Sequence, residues 1–437
     1  MSGAAARREE LREDPIDWRY KGFPAAEGVT PANVAGQGWD LLAGDLLLPA
    51  VVLKSSALER NAARMARWCA ERGASLAPHG KTTMSPELFA LQLEAGAWAI
   101  TAATTSHVRT YRRFGVPRVV LANEVVEPTA VRWIAGELAT DPGFELLCLV
   151  DSPAAVEVLT AAWPADAARG RRLPVLVELG IPGTRTGCRS VADGLAVAEA
   201  VAASPVLELA GVEAFEGVVA SDDVAAARAA VDRLVVDLWA LAAAIDGRGL
   251  AGGRDELVVS VGGSTWFDRV VAAPRPDLGT PVRLVLRSGC YLTHDSGLYH
   301  RLSPLDGRAD ADHEPGDRLH PALEAWGVVL SRPEPTRAVV GLGKRDVSHD
   351  VELPIPLLVS AAGGGSRGAL RAVDRRLRIV TLNDQHAWLD LPADDPLAVG
   401  DLVGCGISHP CTTFDKWRLI PVVDDDYRVV DAYHTFF

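Results

Sequence analysis

The chain has 437 residues, 48% hydrophobic and 23% charged, enough for two or three domains or for one large barrel with a smaller companion. A formal charge of −13, from 44 basic and 57 acidic residues, argues against nucleic acid and against an anionic membrane surface as partners. The start, MSGAAARREELREDPIDW, is charged from residue 7 and has no apolar signal core.

No apolar run approaches the ~20 residues of a membrane span. Six scattered cysteines (69, 148, 188, 290, 405, 411) form no CxxC pair. Together these features read as a cytoplasmic chain with reduced thiols.

Residues 1–43 form an irregular N-terminal extension without readable chemistry. GDLLLPAVVLKSSAL, 44–58, is strand-like and is expected to join a β domain supplied mostly by the C-terminus. From about residue 75 a unit repeats: a short apolar run ending in small or polar residues, then a longer alanine-rich amphipathic stretch. The apolar runs are 74–78, 98–104, 118–124, 145–151, 173–180, 207–215, 256–263 and 282–289. VAAARAAVDRLVVDLWALAAAI, between the sixth and seventh, has aliphatic residues at helical spacing. SPEL offers Ser85 as a cap, Pro86 at the first helical position and Glu87 beside it.

Eight strand–helix units predict an α/β fold, a (β/α)8 TIM-like barrel over 59–300. The near-continuous apolar strands suit a parallel sheet buried on both faces. An open doubly wound sheet is the alternative. After residue 300 the texture changes. A polar segment, 307–320, reads as a loop, and short alternating runs follow, including RAVVGLG, RLRIVTLN and DLVGCGISHP. They predict an antiparallel β domain over 301–437.

In such a barrel, chemistry sits at the C-terminal strand ends. The ends after strands seven and eight are glycine-rich, where many barrels hold a phosphate. Gly262, Gly263, Ser264 and Thr265 are the candidates after strand seven, Gly289 and Tyr291 after strand eight. The first strand ends in PHGKT, which contains Lys81, one of five lysines in the chain. A lysine at a barrel mouth with a phosphate loop suggests pyridoxal 5'-phosphate (PLP) held as a Schiff base. The amine must be neutral to attack an aldehyde, so desolvation or a neighbouring cation is needed, and His79 stands two residues away. Near the C-terminus, His409 and Cys411 in SHPC would share one face of an extended segment, and both are good zinc ligands. Cys405 is a third possible ligand, although DLVGCGI reads as a core strand.

PHGKT, GIPGTRTG, VSVGGST and SHPC, in that order along the chain, resemble the D-serine dehydratase and D-threonine aldolase group. These are fold-type III PLP enzymes with an alanine-racemase-like barrel and a C-terminal β domain. The resemblance covers roughly residues 45–437, and LRSGCYLTHDSGLY is similar to amino-acid deaminases of the group. It implies that Lys81 carries PLP and takes the substrate α-proton. His409 and Cys411 would hold Zn2+ near the β-hydroxyl. Arg185, in GTRTG, would lie near cofactor and substrate. Aldolase members carry aspartate where this chain has Cys411, and prefer a harder metal, so cysteine leans toward zinc and dehydration.

The group commonly has a tyrosine followed by Gly-His after strand six. Here Phe215 stands there in EAFEGVV, able to stack on the cofactor ring but not to hydrogen-bond. Glu213 and Glu216 remain alternatives for the pyridine nitrogen. Lys344, in GLGKRDVSHD, is a rival to Lys81 but lies outside the barrel.

The expectation is a homodimeric deaminase of small D-3-hydroxy amino acids such as D-serine, D-threonine or D-phenylserine. The products would be a 2-oxo acid and ammonia. The alternatives are an aldolase releasing glycine, a racemase and a non-catalytic PLP carrier.

Overall fold

The computed structural model describes residues 3–24, 26–219, 223–308, 317–361 and 367–437. Of the polar segment 307–320, residues 309–316 lie outside the described residues. The chain divides into two compact units. One comprises 1–65, 82–91 and 290–437, and the other 66–81 and 92–289.

β1 (Ala50–Lys54) belongs to the first unit. The second is built on eight strands: β2 (Ala74–Leu76), β3 (Ile100–Ala102), β4 (Arg118–Glu124), β5 (Glu145–Val150), β6 (Leu173–Leu179), β7 (Leu207–Phe215), β8 (Leu257–Gly262) and β9 (Val282–Leu286). All eight apolar runs therefore form strands. They pair in parallel in the order β2-β9-β8-β7-β6-β5-β4-β3. The two ends meet: Trp98 N–H donates to Leu76 O at 2.7 Å, and Thr101 N–H to Pro78 O at 2.8 Å. This is the (β/α)8 barrel expected from the repeat.

Ala77, Val120, Leu147, Leu176, Ala210, Val258 and Val285 fill its interior, small and branched side chains that close a barrel without a pore. The helix Val224–Gly247 shows why the alternate segments cover it. Asp223 caps its first N–H groups, and Val231, Leu234, Leu238, Leu241 and Ile245 are buried at helical spacing. Another helix, Pro86–Glu94, starts at the proline after Ser85, whose hydroxyl bonds Glu87 at 2.9 Å.

The first unit is a ten-stranded sheet. It adds β10 (Leu323–Glu334), β11 (Arg337–Val340), β12 (Ile355–Ser360), β13 (Leu370–Ala372), β14 (Arg378–Leu382), β15 (Ala387–Asp390), β16 (Leu402–Gly406), β17 (Leu419–Val423) and β18 (Val429–His434). β1 lies between β10, antiparallel with Ala50 opposite Trp326, and β17, parallel with Leu53 opposite Val422. β12 and β13 escaped the sequence reading. Pro356 and a bulge beside it break the alternation of IPLLVS, which hides the strand. Among the described residues no helix is long and apolar enough to cross a membrane.

Candidate active site

In the barrel unit, β2 runs through Pro78 and His79 into a tight turn, Gly80–Thr82. A side chain at residue 80 would meet the Tyr111 hydroxyl at 2.6 Å and Ile100 at 2.7 Å, so only glycine fits there. Lys81 is exposed on this turn. Three of the other lysines are occupied. Lys21 pairs with Asp346 at 3.0 Å, Lys54 lies 3.9 Å from Glu324, and Lys416 pairs with Asp415 at 3.1 Å. Among the described residues, Lys81 and Lys344 make no side-chain hydrogen bond or ion pair. Lys344 is exposed beyond β11, in the other unit.

His79 corrects one expectation. Burial, reinforced by Arg287, Lys81 and Arg185, pushes its pKa well below the ordinary value. It is a neutral imidazole, not a cationic neighbour. Its Nδ1 is buried and has no hydrogen-bond partner among the described residues.

Arg287 was missed in the sequence. It follows β9, is 1% exposed, and donates to Ser260 Oγ at 2.7 Å and to the Glu213 carboxylate. Glu213, one of the alternatives for the pyridine nitrogen, is thus committed to a buried ion pair. Its pKa is still pushed up to about 7, by burial first. Arg287 falls within LRSGCYLTHDSGLY, but as a single polar letter at the edge of an apolar run it gave no sign of its pairing with Glu213.

Phe215 ends β7 opposite Gly262, and the Arg185 guanidinium stands over its ring, 4.5 Å from the centroid. A side chain on Gly262 would meet Arg287 at 2.6 Å and Phe215 at 2.8 Å. Gly263 has a φ of +106° and lies against Glu216, whose carboxylate a Cβ would approach to 2.0 Å. The bare backbone of this turn follows from both constraints. Ser264 is half-buried behind it, and Ser288 Oγ donates to Gly263 O at 2.5 Å.

Lys81, His79, Arg185, Phe215, Gly262, Gly263, Ser264 and Gly289 thus all belong to the barrel unit, whereas Tyr291 falls in the other and is buried. The residues present fit a PLP-sized anionic aldehyde: an unpaired amine, an unsatisfied neutral imidazole, a cation stacked on an aromatic ring and glycine backbone.

Glu216 carries a testable consequence. Burial pushes its pKa up to about 8, so it is a neutral acid at pH 7. A raised carboxyl stabilises the fold fully below its unfolded value of about 4.5 and loses that contribution as pH rises through about 8. The shift amounts to on the order of 5 kcal/mol. Urea midpoints measured at pH 5.5 and 8.5 should fall for the native chain. The fall should shrink in Glu216→Gln and persist in part through Glu213 and Glu124, also raised, to about 7 and about 8.

The second cluster lies in the β unit, after β16. The His409-x-Cys411 pair is not extended, contrary to the alternation argument. His409 has a φ of +66°, Pro410 is helical, and Cys411 opens the short helix Cys411–Phe414. The turn, rather than strand alternation, brings imidazole and thiol close enough for each to act on the other's charge. Buried Asp295 holds the strained backbone: its Oδ2 accepts from His409 N–H at 3.0 Å, and its Oδ1 accepts from the N–H groups of Gly297, Tyr299 and His300. Ser348 Oγ donates to Ser408 O at 2.8 Å.

Asp350, also missed in the sequence, lies 2.6 Å from His409 Nδ1 and accepts from Thr412 Oγ1 at 2.9 Å. With Nδ1 committed, Nε2 is the nitrogen left for a metal, the usual carboxylate–histidine–metal arrangement. Cys290 Sγ is 3.9 Å from Cys411 Sγ, and Thr82 Oγ1 is 3.5 Å from it. The Cys290 hydrogen bond, then the one with His409, lowers the Cys411 pKa well below the ordinary thiol value. The bond to Cys411 raises His409 to about 9.

A thiolate beside an imidazole backed by a carboxylate is a donor set that fits zinc. Cys405 does not contribute. It is fully buried in β16, and burial pushes its pKa up to about 12. Asp350→Asn should weaken metal binding about 10–100-fold in a chelator competition while leaving the circular dichroism unchanged.

A further group, His294, His300 and Asp306, brings three ligand atoms within 4.8 Å of one another. Both imidazoles are 2.7 Å from Asp306 Oδ2. The carboxylate accepts from both rings, so the cluster is satisfied without an ion.

Residues 322–423 match the family described as "Putative serine dehydratase domain". The chain is 26% identical over 380 residues to a D-threonine aldolase of Arthrobacter sp, covering 86% of this chain and 89% of that protein. It is 26% identical over 313 residues to a 3-hydroxy-D-aspartate aldolase of Paracoccus denitrificans (strain Pd 1222), covering 71% and 75%. A D-threo-3-hydroxyaspartate dehydratase, solved as a cysteine-to-alanine mutant in the metal-free form, superimposes with a TM-score of 0.69 at 22% identity, over 91% of this chain and 99% of that one.

The chain thus carries a putative serine dehydratase domain at 322–423 and is similar, over most of its length, to enzymes named D-threonine aldolase and 3-hydroxy-D-aspartate aldolase. Its fold, a (β/α)8 barrel with a β domain, is shared with a solved D-threonine aldolase from Filomicrobium marinum (TM-score 0.70, 23% identity, 91% of this chain and 97% of that one) and with an alanine-racemase-like protein. The relatives that match are named as aldolases of D-threonine and 3-hydroxy-D-aspartate and as a dehydratase of D-threo-3-hydroxyaspartate.

Proposed function

We propose that the chain is a PLP- and zinc-dependent deaminase of D-3-hydroxy amino acids such as D-serine, D-threonine or D-phenylserine. It would release a 2-oxo acid and ammonia. The observation that carries the choice is the metal cluster: a thiolate-leaning Cys411 paired with His409, itself backed by Asp350. A soft sulfur ligand selects zinc over the harder divalent ions.

When bound, PLP supplies an electron sink for the Cα carbanion and zinc a Lewis acid for the departing β-hydroxyl. The chain's own residues do the rest. Lys81 anchors the cofactor and moves the α-proton. Arg185, stacked on Phe215, lies beside the cofactor ring. The glycine turn after β8 receives the phosphate, with Ser264 beside it. Asp350 fixes the His409 tautomer. Gly289 and Tyr291 are assigned to the same cofactor end, and His79 to positioning beside Lys81. We place the enzyme in the cytoplasm as a homodimer.

The test is a product assay on D-serine, D-threonine and D-phenylserine. A 2-oxo acid with stoichiometric ammonia supports the proposal. Glycine with an aldehyde would make the chain an aldolase, and loss of optical activity alone would make it a racemase.

A further inference from the structure

We infer that Cys290 is a third protein ligand of the metal proposed at His409 and Cys411, giving a Cys2His set with one open position. The inference rests on the zinc reading above and concerns a residue to which the sequence reading gave no role. The Sγ atoms of Cys290 and Cys411 are 3.9 Å apart. Two thiolates bound to a tetrahedral zinc at ~2.3 Å each stand roughly 3.8 Å from one another. The observed spacing is therefore that of two ligands on one ion. It is far from the ~2.05 Å of a disulfide.

Cys290 is also held in place. It is 6% exposed, and its carbonyl accepts the His294 N–H at 2.7 Å. Cys405 is the one other cysteine of this unit. Cys405 faces Ala325 and Pro356 within the sheet.

The ligand count has a chemical consequence. Three protein ligands leave one position, so a substrate oxygen must displace the bound water rather than join it. Two sulfurs and a nitrogen also discriminate more strongly against magnesium and manganese than one sulfur would. Binding involves no redox change. The Cys290 thiol proton leaves to solvent, and two metal–sulfur bonds replace the thiol–thiol hydrogen bond.

The test uses the full chain reconstituted with cobalt(II), whose near-ultraviolet sulfur-to-metal charge transfer scales with the number of thiolates. The native chain should show the two-thiolate intensity with tetrahedral d–d bands. Cys290→Ala should halve that intensity and weaken zinc binding by at least ~100-fold, beyond the 10–100-fold of an outer partner. His300→Ala should change neither. A Cys290→Ala protein with native charge transfer and native zinc affinity overturns the inference and leaves the metal at His409 and Cys411 standing. One-thiolate intensity in the native chain does the same without any variant, which covers the case of a variant that fails to fold. A disulfide between Cys290 and Cys411 in reduced, zinc-supplied protein also overturns it. A native chain that takes up no metal overturns the zinc reading itself.

Discussion

Lys81→Ala should yield protein that takes up PLP without fixing it covalently, so that borohydride reduction leaves no stable adduct. Turnover should fall by at least ~10³-fold, since anchor and general base are lost together. The geometry makes this the sharpest single substitution. Of five lysines, three are tied up in the β unit by Asp346, Glu324 and Asp415. Lys344, also in that unit, is the internal control, and Lys344→Ala should keep both colour and activity. Retention of a reducible adduct in Lys81→Ala would sink the assignment. Global stability should barely move, because the side chain is exposed and unpaired.

Cys411→Ala should separate two steps that Lys81→Ala abolishes together. Loss of the thiolate ligand should strip the metal and reduce release of 2-oxo acid by roughly 10²–10⁴-fold, the scale of losing a charge-stabilising group at a leaving oxygen. Exchange of the substrate α-proton in deuterated water should survive, because it depends on Lys81. Equal loss of exchange and product release would remove the metal from the β-elimination step. Full activity after chelation in the same variant would remove it altogether. His409→Ala should behave like Cys411→Ala, whereas Asp350→Asn should retain activity at high zinc, since Asp350 holds a ligand and is not one.

How much of this was legible beforehand depends on the range of the interaction. The barrel could be read because each of its eight strands is an unbroken apolar run buried on both faces, a pattern that survives in the linear text. PHGKT and GGST could be read because their chemistry is local: a tight turn at Gly80, and a left-handed glycine at 263. β12 could not, because Pro356 breaks its alternation.

The sequence by itself determined the repeat, the two kinds of unit, and the letters that could carry an amine, a phosphate turn and a soft metal pair. Only the tertiary structure decided their states. His79 is neutral because it is buried near cations drawn from three separate segments. Arg287 and Glu213 are partners although 74 positions separate them. The turn that joins His409 to Cys411 places the sulfur of Cys290, 121 positions upstream, at 3.9 Å. Charge and ligation fall off over a few ångströms in space, and no spacing along the chain encodes distances of that kind.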